Sequence, residues 1–454
     1  AMIASLVTLF LAYWLGKRVL GRRGGLIFTA LMALHPFFFV HSLNLRMYGG
    51  MVFWVVVSAL CFLTLIGYRP NRLTDEAANG VQERPAGWRH WALRAGVAIA
   101  LTAGLLTQYL FAYWLFALAA IALYLDRKHW FQHGLTMGAG VLMFIPWALW
   151  GVRQQIKNRG DVLNQISSEG GPLDAMLAHG KDLAQTVGNH LLLGHWTTGM
   201  LPIAESIKPT AVAIGCGVIG FLIVCIVGLH RRRQYRTLMV AGLMGLVPLG
   251  VALTIDILAD KYTVGFGWGR STMVALPGCV LLVAAWLELG TGRWRTVMTA
   301  GLLAEYLGVT VGDFAVRDRQ IFSEIGNGYI PETSEPVLVV MNTRAWGHVL
   351  RLVYYVEKMY PKGAGVDVDL LATDPADVAD ALGPALEEKD YRTVLWMKAD
   401  YPLWSAPDTR EELESLNAEA ESVLQAQFGE VRKVRSLQGT MKLDYFELQS
   451  YMDN

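Results

Sequence analysis

Long apolar runs alternate with short polar linkers through the first two thirds of the chain. About ten runs of roughly 20 apolar residues precede residue 314, and a helix of that length crosses the roughly 30 Å hydrocarbon core of a bilayer. Helices satisfy their own backbone hydrogen bonds in lipid. The pattern therefore predicts about ten transmembrane helices, which begin near Met2, Leu26, Gly50, Ala95, Leu110, Phe131, Thr210, Leu238, Ser271 and Val297.

The pattern changes after Asp313 to short β-branched runs that alternate with amphipathic segments. Strands separated by helices are typical of a small α/β layer with parallel strands. We therefore predict a transmembrane domain over residues 1–313 and an accessory α/β domain over 314–454. The predicted strands cover 336–341, 366–372 and 392–397, the helices cover 343–360, 377–389 and 408–427, and a hairpin around Gln438-Gly439 covers 430–448.

The linkers between the apolar runs predict the orientation in the membrane. Every second linker is rich in Lys and Arg, and short basic linkers stay in the cytoplasm. Residue 1, the long linker 152–208 and everything after Asp313 are then placed on the outer side. The basic linkers contain Lys17 to Arg23, Arg69 to Arg94, Arg127 and Lys128, Arg231 to Arg236, and Arg293 with Arg295.

Composition agrees with two unlike parts. The chain of 454 residues is 54% hydrophobic, with a mean hydropathy of +0.35 and a net charge of +1. Up to Asp313 it has 25 Lys and Arg against 14 Asp and Glu, and beyond that residue 14 against 24. The acidic second part disfavours nucleic acid as a partner. All four cysteines lie in apolar runs and read as small buried hydrophobic residues.

One polar constellation lies at the outer end of the second run. Asn44, Arg46 and Tyr48 follow each other at alternate positions. An arginine here could bind a phosphate through its planar fork, with its neighbours on a sugar. A snorkelling arginine beside a membrane-belt tyrosine explains the pattern equally well.

A second constellation occupies the outer loop before Ser271. Its cations could neutralise a lipid-linked phosphate while the aromatic rings pack on a sugar, although aromatic residues are also common at membrane boundaries. Two acidic residues, Asp256 and Asp260, precede these residues and could pair with them. The loop supplies Lys261, Tyr262, Trp268 and Arg270.

Two further segments contain polar residues. Gln108 and Tyr109 join two apolar runs almost without a loop, and such residues either face a cavity or cap a tight helical hairpin. The linker 152–208 contains three histidines, but it lacks the spacing of a helical metal site, so a metal is unsupported. We expect a pair of amphipathic surface helices over 171–193 instead.

Several of these motifs, in this order, resemble the GT-C membrane glycosyltransferases, the group that includes protein mannosyltransferases and aminoarabinose transferases. The resemblance extends over about residues 1–290. It rests on Gly16-Lys17-Arg18-Val19-Leu20-Gly21-Arg22-Arg23, Leu34-His35-Pro36, Ser42-Leu43-Asn44-Leu45-Arg46-Met47-Tyr48, Thr107-Gln108-Tyr109, Ile145-Pro146-Trp147 and the segment from Arg270 to Pro277.

The resemblance implies transfer of a sugar from a polyprenyl-phosphate donor to an acceptor on the extracytoplasmic side. It also implies a multi-pass protein of the bacterial inner membrane, with membrane lipids as partners and room for other membrane subunits. Arg270 would bind the donor phosphate, with Arg46 and Lys261 in support. The cavity for the sugar would be formed by Asn44, Tyr48, Gln108, Tyr109, Tyr262 and Trp268.

The sequence departs from the family where a carboxylate base is expected. The motif glutamate is Asn44, the motif histidine is Gln108, and the tyrosine after the loop arginine is Ser271. The family's essential aspartate lies upstream of Ala1, so Asp256 and Asp260 are the only nearby candidates. Two hypotheses follow: an N-terminally incomplete glycosyltransferase, or a degenerate relative that serves as a structural subunit. A transporter is disfavoured, because Glu305 is the only acid in the middle of a run.

Overall fold

The computed structural model divides into two compact units, Ala1–Gly312 and Asp313–Asn454. The described residues are 2–43, 47–69, 84–153, 172–191, 204–259, 263–264, 270–316, 335–343, 352–353, 367–399, 409–438 and 445–452.

The described residues of the first unit form helices joined by short turns, as expected where lipid leaves the backbone no other hydrogen-bond partner. Its helices are α1 (Met2–Leu34), α2 (Pro36–Leu43), α3 (Tyr48–Leu65), α4 (Trp88–Thr107), α5 (Ala112–Leu125), α6 (Trp130–Trp147), α7 (Pro172–Leu191), α8 (Ala204–Arg231), α9 (Tyr235–Ala259), α10 (Leu276–Ala285) and α11 (Arg295–Val316).

The prediction of a polytopic helical membrane protein is confirmed, and the count of long apolar helices differs from the predicted number of runs. Among the described residues, seven helices are long and apolar enough to cross a membrane, where the sequence predicts about ten. The difference has three sources. Two of the predicted runs form the two arms of α1, which count together as one helix, the apolar stretch Tyr109–Leu125 is shorter than a full span, and α11 is not among the seven.

Helix α1 is a hairpin of two antiparallel arms. Gly21 has φ of +85° and ψ of −179°, a conformation that L side chains rarely adopt, and it lies within the basic turn. A Cβ on Gly25 would lie 2.7 Å from Lys17 N and 3.0 Å from Tyr13 O. In a straight helix residue 25 would be on the order of 12 Å from residue 17, so the chain reverses direction at Gly21.

Glycines and interhelical hydrogen bonds hold the bundle together. A Cβ on Gly278 of α10 would lie 2.1 Å from Gly245 N of α9, so these two backbones are in contact. Trp114 Nε1 donates to Ser58 Oγ at 2.8 Å, which joins α5 to α3. Helices that pack in this way do not need one apolar and one polar face, and most faces of these helices are apolar.

The linker 152–208 differs from its prediction. The sequence predicted two surface helices over 171–193, whereas the structure has one helix, α7, which packs against α8 and α9. A Cβ on Gly188 would lie 2.4 Å from the Cα of Gly215, so α7 and α8 meet backbone to backbone. Ala184 and Val187 of α7 are buried, whereas Met176 and Leu177 nearer its start are exposed.

The second unit has a five-stranded mixed sheet in the order β2-β1-β3-β5-β4. Strand β1 pairs parallel with β2 and β3, while β5 pairs antiparallel with β3 and β4. Two separate apolar clusters cover its two faces. The elements are β1 (Val337–Met341), β2 (Val368–Ala372), α12 (Val378–Glu388), β3 (Thr393–Ala399), α13 (Arg410–Phe428), β4 (Lys433–Gln438) and β5 (Tyr445–Met452).

These elements agree closely with the predicted α/β layer. The three parallel strands and the helices α12 and α13 each lie within a few residues of the predicted bounds. The closing pair β4 and β5 is antiparallel, as a hairpin requires. Most of the predicted helix over 343–360 and the hairpin turn after Gln438 lie outside the described residues.

We predict that Gly25→Leu destabilises the α1 hairpin. The new side chain would meet backbone atoms of the other arm, and overpacking of this kind costs about 1–3 kcal/mol. The measurement is the midpoint of thermal unfolding of the purified chain in detergent. Gly134→Leu in α6 is the matched control, because no atom lies within 4 Å of a Cβ there. Equal midpoints for the two variants would contradict the hairpin packing.

Candidate functional site

Three of the predicted site segments meet at one end of the helices, opposite the end where the basic linkers join them. A 3-10 helix, Arg270–Val274, contacts α3 and a second 3-10 helix, Tyr109–Phe111. At the start of α3, a Cβ on Gly50 would lie 3.3 Å from Thr107 Cγ2. The segments that carry Tyr48, Gln108 and Arg270 therefore adjoin one another, although they are far apart in sequence.

The structure describes only part of the predicted site. Arg270 begins its 3-10 helix, and only its backbone is described. The remaining predicted phosphate-binding and sugar-binding residues, and one of the two candidate bases, lie outside the described residues: Asn44, Arg46, Asp260, Lys261, Tyr262 and Trp268.

Tyr48 is buried at the first turn of α3 and packs against a histidine. The ring of His41 lies 5.2 Å from that of Tyr48, with an edge-on angle of 68°. On its other side His41 contacts Phe37, with ring centroids 4.4 Å apart. The three aromatic rings meet edge to face and connect α2 to the start of α3.

Gln108 and Tyr109 form the tight turn between α4 and α5. Gln108 is extended, with φ of −159° and ψ of 128°, and its Oε1 accepts a hydrogen bond from Tyr109 N at 3.0 Å. Gln108 thus caps the 3-10 helix that follows. This is the second of the two interpretations of its sequence position, a cap in a tight helical hairpin. Tyr109 Oη accepts a hydrogen bond from Trp147 Nε1 at 3.3 Å, so the aromatic pair joins this turn to the end of α6.

Asp256 lies near the end of α9, is 1% exposed, and accepts three hydrogen bonds. Its Oδ1 accepts from Thr263 N at 2.7 Å and from Thr263 Oγ1 at 2.5 Å, and its Oδ2 accepts from Val264 N at 2.7 Å. Tyr113 Oη in turn donates to Thr263 Oγ1 at 3.2 Å. This geometry makes Asp256 an anchor for the loop that leads to Arg270 and ties that loop to α5.

The described part of the site is suited to hold aromatic and polar groups in fixed positions. Within the described ranges, no group of three or more His, Cys, Asp or Glu side chains is placed to hold a metal ion.

The sequence analysis did not assign roles to Trp147, Thr263 or Tyr113. The Pro-Trp motif at Pro146 pointed to Trp147, whereas no local pattern marks the other two.

A charged cluster that the sequence did not suggest lies at the opposite, basic ends of the helices. Asp126 contacts Arg84 Nη2 at 2.8 Å, His129 Nδ1 at 2.9 Å and His133 Nε2 at 2.8 Å. Burial would raise the pKa of Asp126, but the hydrogen bonds from these three partners hold that pKa below its ordinary value. The cluster joins the linker before α4 to the turn between α5 and α6.

No family model matches the chain, and no curated protein matches its sequence. Solved structures of two membrane proteins are similar to it. The oligosaccharyltransferase of Archaeoglobus fulgidus in the apo form aligns at 12% identity over 87% of this chain and 57% of its own, with a TM-score of 0.39. The chain thus spans little more than half the length of that protein.

ArnT of Cupriavidus metallidurans, bound to undecaprenyl phosphate, aligns at 13% identity over 99% of this chain and 82% of its own, with a TM-score of 0.36. ArnT is an aminoarabinose transferase, and both proteins are members of the GT-C group that the sequence motifs resemble. With TM-scores below 0.5, these similarities carry no inference about the reaction of this chain.

We predict that Asp256→Asn lowers the stability of the protein. An amide nitrogen would replace one oxygen and face a hydrogen-bond donor, and an unsatisfied buried donor costs about 1–3 kcal/mol. The midpoint of thermal unfolding in detergent measures this effect. Thr254→Ala is the control on the same helix, because Thr254 is exposed and bonds only to its own helix. An Asn variant as stable as this control would argue against the anchoring role.

Proposed function

We propose that this chain is a GT-C-type glycosyltransferase, which transfers a sugar from a polyprenyl-phosphate donor to an acceptor at the outer ends of its helices. The proposal includes the orientation given by the basic linkers, with the acidic unit on the extracytoplasmic side of the bacterial inner membrane. In this proposal, residues 1–313 form the membrane domain that carries out the transfer. Residues 314–454 form an accessory domain.

One observation carries the proposal. The 3-10 helix that starts at Arg270 contacts both α3, which starts at Tyr48, and the 3-10 helix that starts at Tyr109. A site for a lipid-linked sugar needs cations for the phosphate and aromatic or polar groups for the sugar within a few ångströms of each other. Segments with both kinds of residue adjoin at one end of the bundle.

The donor phosphate is the leaving group in this proposal. The bond between the sugar's anomeric carbon and the phosphate oxygen breaks, and the charge that develops on the phosphate needs cations close by. Arg270 supplies a planar fork for two phosphate oxygens, and Arg46 and Lys261 supply further positive charge. Tyr48, Tyr109 and the loop aromatic residues Tyr262 and Trp268 are the groups we assign to the sugar, with Asn44 and Gln108 as polar neighbours.

The acceptor must lose a proton as its oxygen or nitrogen bonds to the anomeric carbon, and a carboxylate is the usual base. Asp256 is poorly suited to this role, because both of its oxygens are hydrogen-bonded to the loop. Asp260, four residues further on, is the remaining candidate from the sequence. Another base beside the bound acceptor would take the acceptor's proton in the same way.

Both carboxylate oxygens of Asp256 are hydrogen-bonded to the loop, and this favours a second candidate function. A relative without a free carboxylate would bind the polyprenyl phosphate but not transfer its sugar, and would act as a structural subunit among other membrane proteins. Arg270 and the aromatic residues serve phosphate binding in both functions. Binding and turnover therefore have to be measured separately.

We predict that Arg270→Ala weakens binding of undecaprenyl phosphate by roughly tenfold to a hundredfold, because a charge-assisted hydrogen bond is worth about 1.5–3 kcal/mol. Arg270→Lys should retain part of the affinity, since it keeps the charge but not the fork. Binding to the purified chain in detergent can be followed by microscale thermophoresis.

Arg293→Ala is the matched control for that measurement. Arg293 is an exposed arginine at the basic end, where its guanidinium lies 5.7 Å from the ring centroid of Trp294. The control should leave the affinity unchanged. Equal losses in the Arg270 and Arg293 variants would contradict a phosphate site at Arg270.

We predict that the chain, incubated with polyprenyl-phosphate sugars and a mixed acceptor pool, releases glycosylated product at a rate that Arg270→Ala reduces by about 10²-fold or more. Mass spectrometry of the acceptor pool measures the product. Asp260→Asn should abolish this turnover while leaving lipid binding intact. Binding without any turnover would contradict the enzyme and support the structural subunit.

A further inference from the structure

A cavity of about 520 Å³ opens at the basic ends of α1, α3 and α4, away from the candidate site. We call it the basic-end cavity. Its lining comes from the first arm of α1, the last turns of α3, the residues just after α3, and the start of α4. The volume lies within the range of about 300–1,000 Å³ that small-molecule sites occupy.

Three cations line the basic-end cavity, and none of the described residues that line it is acidic. Arg18 donates from Nε to Leu63 O at 3.2 Å, which fixes its guanidinium at the wall. Lys17 lies with its Nζ 4.6 Å from the ring centroid of Trp14. Arg69 completes the set from the chain just beyond α3. Three like charges around one space repel each other unless an anion lies between them.

The rest of the wall is mostly apolar. Trp14, Leu60, Cys61 and Leu93 form most of it, together with Thr64 and Tyr68, and Trp14 is 43% exposed. In a membrane-spanning bundle such an exposed side chain is covered by lipid. A ligand that suits the cavity therefore combines an anionic group with hydrocarbon, and the charges lie where the headgroups of the basic-side leaflet would be.

We propose that the basic-end cavity binds an anionic phospholipid, with the phosphate among Lys17, Arg18 and Arg69 and an acyl chain against Trp14 and Leu93. The charge complementarity and the apolar wall together select this ligand. A free phosphate would leave the apolar wall without a partner, and a zwitterionic lipid brings a cation with its phosphate, so it does not lower the net positive charge around the cavity. The site is separate from the donor site proposed above and does not depend on it.

Cys61 provides a direct readout, because it lines the cavity. Cys225 and Cys279 are buried and Cys216 is exposed, so a Cys216→Ser background leaves Cys61 as the cysteine most open to reagent. The experiment measures the rate of maleimide labelling of the full chain in neutral detergent, with the additional variant Cys61→Ser for subtraction. The added probes are dioctanoyl phosphatidylglycerol, dioctanoyl phosphatidylcholine, inorganic phosphate and undecaprenyl phosphate.

We expect phosphatidylglycerol to slow labelling of Cys61 at least fivefold, and phosphatidylcholine and inorganic phosphate to have no effect. The double variant Lys17→Gln/Arg69→Gln should lose this protection. The matched double variant Lys128→Gln/Arg231→Gln, which removes two exposed cations from other basic turns, should keep it. Native mass spectrometry should show phosphatidylglycerol retained by the wild-type chain and by the matched double variant only.

Four outcomes would overturn the proposal. Equal protection by phosphatidylcholine would show that charge is not recognised, and protection by inorganic phosphate would show a free-anion site. Protection by undecaprenyl phosphate at concentrations where phosphatidylglycerol has no effect would assign the cavity to the polyprenyl lipid. Loss of protection in the matched double variant would show a diffuse surface effect.

Discussion

In a helical bundle surrounded by lipid, each backbone polar group must find its hydrogen-bond partner within its own helix, and this constraint governs the rest of the first unit. Polar side chains within the helices bond to the backbone of their own helix or to a neighbouring helix, as Ser58 does, while helix ends and tight turns present backbone donors and acceptors that other groups must satisfy. The Gly21 reversal, the Gln108 cap and the Asp256 anchor are three solutions to that problem. Each holds a turn or loop in place through local contacts. Each also positions residues from different parts of the sequence beside one another.

The two ends of the bundle solve the same problem with different chemistry. At the basic ends, Asp126 gathers Arg84, His129 and His133, so positive charge is partly neutralised and the linkers are joined. In the basic-end cavity the cations have no such partner among the lining residues. At the other ends, the described contacts are the hydrogen bonds of the Asp256 anchor and aromatic pairs such as Tyr109 and Trp147. This separation suits an anionic lipid at one end and a lipid-linked sugar with its own phosphate at the other.

Part of the candidate site could be predicted from sequence because its motifs lie at the ends of apolar runs. Tyr48, Gln108 and Arg270 each interrupt such a run, and the alternation of basic linkers puts all three at the same end. The role of Asp256 could not be predicted in this way. A lone aspartate before a loop can be a base, an ion-pair partner or a backbone anchor, and only the three short hydrogen bonds to Thr263 and Val264 distinguish these roles. Tyr113 joins the network from a helix about 150 residues away.

The sequence by itself determined the division into a membrane part and an α/β part, the strand and helix order after Asp313, and the end of the bundle to which each polar motif belongs. These properties follow from hydrophobic period and run length, which act locally. Tertiary structure alone decided that the two arms of α1 are in contact at Gly25, that α7 packs against α8 through Gly188, and that the helix of Arg270 contacts those of Tyr48 and Tyr109. Such contacts depend on which backbones can approach closely, and that is fixed by the packing of the whole bundle.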